Sequence, residues 1–315
     1  MQRQNWETAL SAQSEVLALM TSATGKQYER FWLFDRARKY GSGAAQPSAM
    51  AFATMVDDLI VAEPLYVAPE MHHLVLDAMQ SFDAREPLHE EDVLFRCGFA
   101  YLSEPFLGPD MAGKTAAFRA IHWRMGIVDL PESFATANGG EAGPTMCLTI
   151  TLWSNTGDKD DYSEVWNAGV PGPWGVLHAT TMPLAFANQL AHTRGEGDRN
   201  ADWITYLRVL HRLMAERIVA KARQRTSRPV WREAKRRGMP EVKDVIVVEL
   251  RRVTTKHDGE PGEAHYSHRF MVRGHWRDQW YPSLGIHRQK WISPYIKGPD
   301  DAAFMEKERV WIWDR

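Results

Sequence analysis

Between Ser267 and Asp300 the chain reads SHRFMVRGHWRDQWYPSLGIHRQKWISPYIKGPD. Odd positions from 265 carry His265, Ser267, Arg269, Met271, Arg273, His275 and Arg277, and even positions carry Tyr266, His268, Phe270, Val272, Gly274 and Trp276. Side chains alternate between the two faces of a strand. A strand here would have one aromatic, apolar face and one bearing Arg269, Arg273, His275 and Arg277, about 7 Å apart per two residues. Guanidinium groups bind phosphate bidentately, and an imidazole exchanges protons near neutral pH. Metal-independent RNA cleavage needs a base for the 2′-hydroxyl, cations for the pentavalent phosphate and an acid for the leaving oxygen. His275 with Arg273, Arg277 and Arg288 has that composition and is the predicted catalytic set. Lys290 and Lys297 add cations, and Tyr281, Tyr295 or His287 could supply the second proton function. The same residues would serve as a surface that binds phosphate without cutting it, or as a sheet face paired with acids elsewhere. All three uses remain open.

A second cationic group lies upstream. The net charge of −2 hides an asymmetry: −12 over residues 1–207, +9 over 208–252 and +1 over 253–315. Trp203 to about Arg225 reads as a helix, with Leu207, Leu210, Leu213, Met214, Ile218 and Ala222 on one stripe. Arg208, Arg212, Arg217, Lys221 and Arg223 occupy the other face, and Pro229 ends the pattern. The predicted nucleic-acid-binding residues are Arg212, Arg217, Lys221, Arg223, Arg225, Arg228, Lys290 and Lys297. Such a block implies a polyanionic partner, RNA ahead of duplex DNA, or an acidic protein. The competing reading is internal neutralisation by the acidic half.

Other motifs are weaker. Gly108-Pro-Asp-Met-Ala-Gly113-Lys114-Thr115 matches a P-loop formally, but Ser103-Glu104-Pro105 interrupts the strand that should precede it. A hairpin between Phe95–Leu107 and Thr115–Val128 is the preferred reading. His265, His268 and His275 cannot converge on a metal from one strand, since His268 points away. Asp158, Asp160 and Asp161 lack the glycine and terminal glutamate of a calcium loop. No metal or cofactor is predicted.

The elements that must carry these residues define an α+β protein. Helices are predicted through the first eighty residues, with Pro69 opening the fourth. The hairpin follows, then a strand at Met146–Trp153 and a short helix near Met182–Leu190. After a linker at Arg194–Asn200 come the basic helix, a second basic helix over Val230–Arg237 ending at Gly238, a strand at Val242–Val253 and a C-terminal antiparallel β module. Two domains are predicted, 1–200 (acidic, helical with a β-hairpin) and 201–315 (basic helix plus antiparallel β). Five of the thirteen Trp residues fall in the last forty positions, which predicts a packed C-terminus. Cys97 and Cys147 are too few for a disulfide framework. No signal peptide and no apolar run long enough to span a membrane is seen. A cytoplasmic protein with no membrane partner is expected.

Arg208–Arg252 and Ser267–Pro299 resemble a protein family of actinobacteria and their mobile elements, with GHWR…R.KWISPYIKGP as the specific signature. Ala62–Trp123, through AEPLYVAPEM and FAYLSEP, resembles it more loosely. The resemblance covers roughly two-thirds of the chain. It implies a cytoplasmic setting associated with a phage or plasmid and assigns no residue a role.

Overall fold

A computed structural model describes residues 6–83, 88–109, 115–132, 134, 142–155, 172–192, 201–250, 270–272, 274–282 and 285–297. The fold is α+β, as its sequence predicts. Three helices, α1 (Thr8–Thr21), α2 (Ala23–Tyr40) and α3 (Ser42–Val61), lead into β1 (Glu63–Val67) and α4 (Pro69–Met79). Pro69 sits in the first turn of α4, where its missing N–H costs nothing. A 3₁₀ turn at Glu90–Asp92 precedes the meander β2 (Cys97–Pro109), β3 (Thr115–Leu130), β4 (Gly143–Asn155) and β5 (Trp174–Pro183). Then come α5 (Leu184–His192), α6 (Ala201–Ala215), β6 (Val219–Gln224), α7 (Arg228–Arg236) and β7 (Val245–Leu250).

These strands form one mixed sheet in the order β5-β4-β3-β2-β1-β7-β6. β1 runs parallel to both β2 and β7, and β6 closes the edge antiparallel to β7. The boundary expected near residue 200 therefore does not separate two sheets: β6 and β7 come from beyond it and complete the sheet begun by β1. On one face Leu10, Leu17, Met55 and Leu59 pack on Phe99, Trp153 and Trp174, and Ala234 of α7 joins them. On the other, Met71, Val75, Leu207, Leu210 and Leu213 of α4 and α6 pack on Leu102, Trp123, Ile150 and Val248. Burial on both faces explains why β7 reads VIVV without alternation.

Two sequence readings change. The helix expected over 203–225 stops at Ala215, and Val219–Gln224 is a strand. Ile218 and Ala222 fit the helical stripe, but β7 offers Val219–Gln224 a full set of ladder partners, which prolonging the helix would forfeit. The single strand expected through 265–277 is two pieces in different sheets. β8 (Phe270–Val272) pairs with β11 (Tyr295–Lys297), and β9 (His275–Tyr281) pairs with β10 (Ile286–Ile292). Gly274 marks the break: a Cβ there would lie 2.3 Å from Trp291 Cζ2, so the chain passes against the indole face. The hairpin preferred over the formal P-loop match is present. Gly108 and Pro109 pair with Ala116 and Thr115 in a hairpin, and Thr115 opens a strand rather than a helix. The β2 irregularity anticipated at Ser103–Pro105 is a register shift between Tyr101 and Phe106.

α7 ends as expected at Gly238. Its φ of +96° lets Gly238 N–H donate to Lys235 O and Met239 N–H to Ala234 O, the two bonds of a Schellman cap. Among the described residues no helix is long and apolar enough to cross a membrane.

Candidate nucleic-acid interface

The β9–β10 hairpin lies on the α4–α6 side of the sheet. Trp291 is buried in that core, and Trp276 Nε1 donates to Ala78 O at 3.0 Å, in the last turn of α4. The Gln289 amide clamps the backbone of Asp83, accepting from its N–H at 2.9 Å and donating to its carbonyl at 2.8 Å. Arg288 Nη1 reaches Asp92 Oδ1 at 3.4 Å. The same oxygen accepts from Arg212 Nη1 at 3.0 Å, and Asp92 Oδ2 accepts the His89 N–H at 3.1 Å. The Asp92 side chain is 3% exposed, with Arg212 at 13% and Arg288 at 19%. A nearly buried carboxylate thus ties the end of α6 to the C-terminal hairpin.

Between these elements opens a cleft of about 640 Å³. Its basic lining is Arg212, Arg217, Arg288 and Lys290, from two sequence groups about seventy residues apart. Asp92, Glu216, Leu94, Ile218 and Tyr281 complete most of the wall. Arg217 and Lys290 are exposed and make no ion pair among the described residues. Lys221 and Arg223 are exposed on edge strand β6. They pair across the ladder with Val248 and Ile246, which belong to the core on the cleft side. Directly opposed residues share a sheet face, so both cations lie on the cleft side. Arg223 forms an ion pair with Glu63 at 3.1 Å; Lys221 has none among the described residues. Cations on an edge strand also discourage pairing with other chains.

Of the predicted catalytic set, the structure does not bring His275 and Arg288 together. Arg273 lies outside the described residues. His275 and Arg277 are exposed on β9, and Arg277 donates to Gln279 Oε1. His275 stands opposite Ile292, whereas Arg288 stands opposite Gln279, four residues further along. That separation is about 13 Å along the strand. His275 does not line the cleft, and Arg288 is engaged by Asp92. Lys297 is on β11, in a different two-stranded sheet. Arg225 and Arg228 are exposed where the chain turns to α7, which packs on the opposite face of the main sheet. Of the eight predicted binding residues, Arg212, Arg217 and Lys290 line the cleft, and Lys221 and Arg223 continue from it. Asp92 was not legible: Glu90-Glu91-Asp92 reads as a solvated acidic run, and only the fold shows it receiving two arginines.

The buried histidines carry a different chemistry. His72 Nδ1 lies 2.8 Å from the Tyr206 hydroxyl, and His211 Nδ1 lies 2.9 Å from Leu207 O. Burial pushes both down to about 4, and His122 and His178 to about 3. All four are neutral at neutral pH, and none lines the cleft.

No family model and no curated protein matches the chain. Among solved structures, one titled "Crystal structure of AcrVA2" aligns over 92% of this chain and 93% of that chain, at 14% identity and a TM-score of 0.45. At that similarity no residue role transfers.

Proposed function

We propose that the protein binds nucleic acid at the cleft between α6 and the β9–β10 hairpin and does not cut it. One observation carries this reading: the fold gathers basic residues from both cationic segments around one cavity and leaves Arg217, Lys221 and Lys290 without ion-pair partners among the described residues. Asp92 engages Arg212 and Arg288, and the exposed Arg217, Lys221 and Lys290 remain to attract a polyanion, which releases counterions when it binds. Cleavage would need a base and acid beside those cations; Tyr281 lines the cleft, but the predicted base His275 does not. The resemblance to proteins of actinobacterial mobile elements makes a phage or plasmid accessory role the setting for this reading.

The test is fluorescence anisotropy with a labelled RNA of roughly 12 nucleotides, from about 50 to 200 mM salt. Binding should weaken steeply with salt, and Arg217→Glu with Lys290→Glu should remove it while the far-UV spectrum and melting temperature stay unchanged. The labelled RNA should remain intact on a denaturing gel. Binding that ignores salt or survives the double substitution would remove the cleft from consideration.

A further inference from the structure

We propose that the ligand is a single strand laid along β6, its bases on an apolar floor and its phosphates on Lys221 and Arg223. This rests on the nucleic-acid reading of the cleft and extends it along the sheet edge. A second hollow of about 320 Å³ is lined by Leu94, Phe95, Lys221, Arg223 and Ile246. Leu94 lines this hollow and the cleft alike and is 38% exposed, so the two cavities adjoin at its side chain. The basic residues occur on both sides of this junction: Arg217 and Lys290 in the cleft, Lys221 and Arg223 in the hollow.

An apolar strip between cations suits a polymer that alternates flat apolar faces with anions. A duplex keeps its bases stacked inside and offers mainly phosphates outward, so it cannot place bases on Leu94 and Phe95. Single strands present both groups at once, and binding sites for them combine basic tracks with apolar or aromatic contacts to the bases. A mononucleotide would fill the cleft and leave the β6 rail without a purpose. An acidic peptide added to the β6 edge would satisfy the charge and leave the apolar floor unexplained.

Four probes decide between these: a base-bearing single strand, the same sugar-phosphate strand without bases, the matched duplex and poly-glutamate. The base-bearing strand should bind about 10-fold more tightly than the abasic strand or the duplex. Leu94→Ala should remove most of that advantage while leaving abasic binding unchanged. Lys221→Glu should weaken the base-bearing and abasic strands alike. Both positions are exposed, and a melting curve confirms that each variant folds. Equal affinity for single strand, abasic strand and duplex overturns this inference. The cleft reading survives that result if Arg217→Glu with Lys290→Glu still abolishes binding. No binding by any oligonucleotide removes both readings, and preference for poly-glutamate replaces them with an acidic-peptide site.

Discussion

Arg212 and Arg288 point inward to a common carboxylate, whereas Arg217 and Lys290, five and two residues away in sequence, stay exposed with no ion pair among the described residues. Both pairs border the same cleft. The first pair is held by Asp92, whose carboxylate both guanidiniums share in a nearly buried position. The second pair contributes little to the fold and is available to a ligand. Arg208 extends the contrast: it lies on the predicted polar face of α6, yet it is 2% exposed and sits 5.3 Å over the Phe82 ring. Formal charge counted along the chain does not distinguish these states. Burial and the partner do.

The largest separation between interior and rim basic groups should come with acid. His72, His122, His178 and His211 bind protons only near 3–4 in the folded protein, against an ordinary value of 6.5. Below pH 6.5 the unfolded chain therefore takes up more protons, and stability falls as pH drops, by up to about 1.4 kcal/mol per pH unit for each histidine. Above about pH 7 both states are neutral at these positions and the contribution is absent. Among the described residues buried His122 Nδ1, His178 Nε2 and His211 Nε2 have no hydrogen-bond partner, so protonation finds no acceptor among them. Melting temperature should be flat from pH 8 to 7 and fall steeply below 6. A melting temperature unchanged at pH 5 would show that the interior histidines accept charge.

Asp92→Ala should have the next largest effect. It leaves Arg212 and Arg288 without their shared acid in a nearly buried position, at a cost of about 3–5 kcal/mol. It should also loosen the hairpin, read as faster amide exchange across β9 and β10. A loss below 1 kcal/mol would place the pair among solvated surface ion pairs.

The smallest effects on stability belong to the rim. Arg217→Ala, Lys221→Ala and Lys290→Ala should each change unfolding free energy by no more than about 0.5 kcal/mol. Each should instead lower the salt slope of single-strand binding by about 0.7. A rim substitution that costs as much as Asp92→Ala would erase the distinction between the two groups.

Local chemistry made part of this legible. Pro69 announces the start of α4 and Gly238 the end of α7, because their backbone constraints are intrinsic to the residue. Gly108–Gly113 between two extended runs announces the β2–β3 hairpin. The β-branched stretches of β4 and β7 identify themselves as strands. The basic block near Arg217 and the Arg/Lys tail of the hairpin were also visible as charge. By contrast, β1 has no local signature: Glu63–Val67 is five residues long, and its identity depends on β2 and β7 pairing with it from both sides. Val219–Gln224 fits a helical stripe as well as a strand, and only the free edge of β7 decides the matter.

The sequence alone determined the α+β class, the chain's main turns and caps, and the presence of two basic segments, because these follow from residue type and short-range spacing. The tertiary structure decided that the segments share one cleft, that Asp92 engages Arg212 and Arg288 at its wall, and that His275 stands apart from Arg288. Those outcomes depend on strand pairing and burial between residues as much as two hundred positions apart. Long-range contacts of that kind are set by how the whole sheet and its two helical layers pack, which no local pattern encodes.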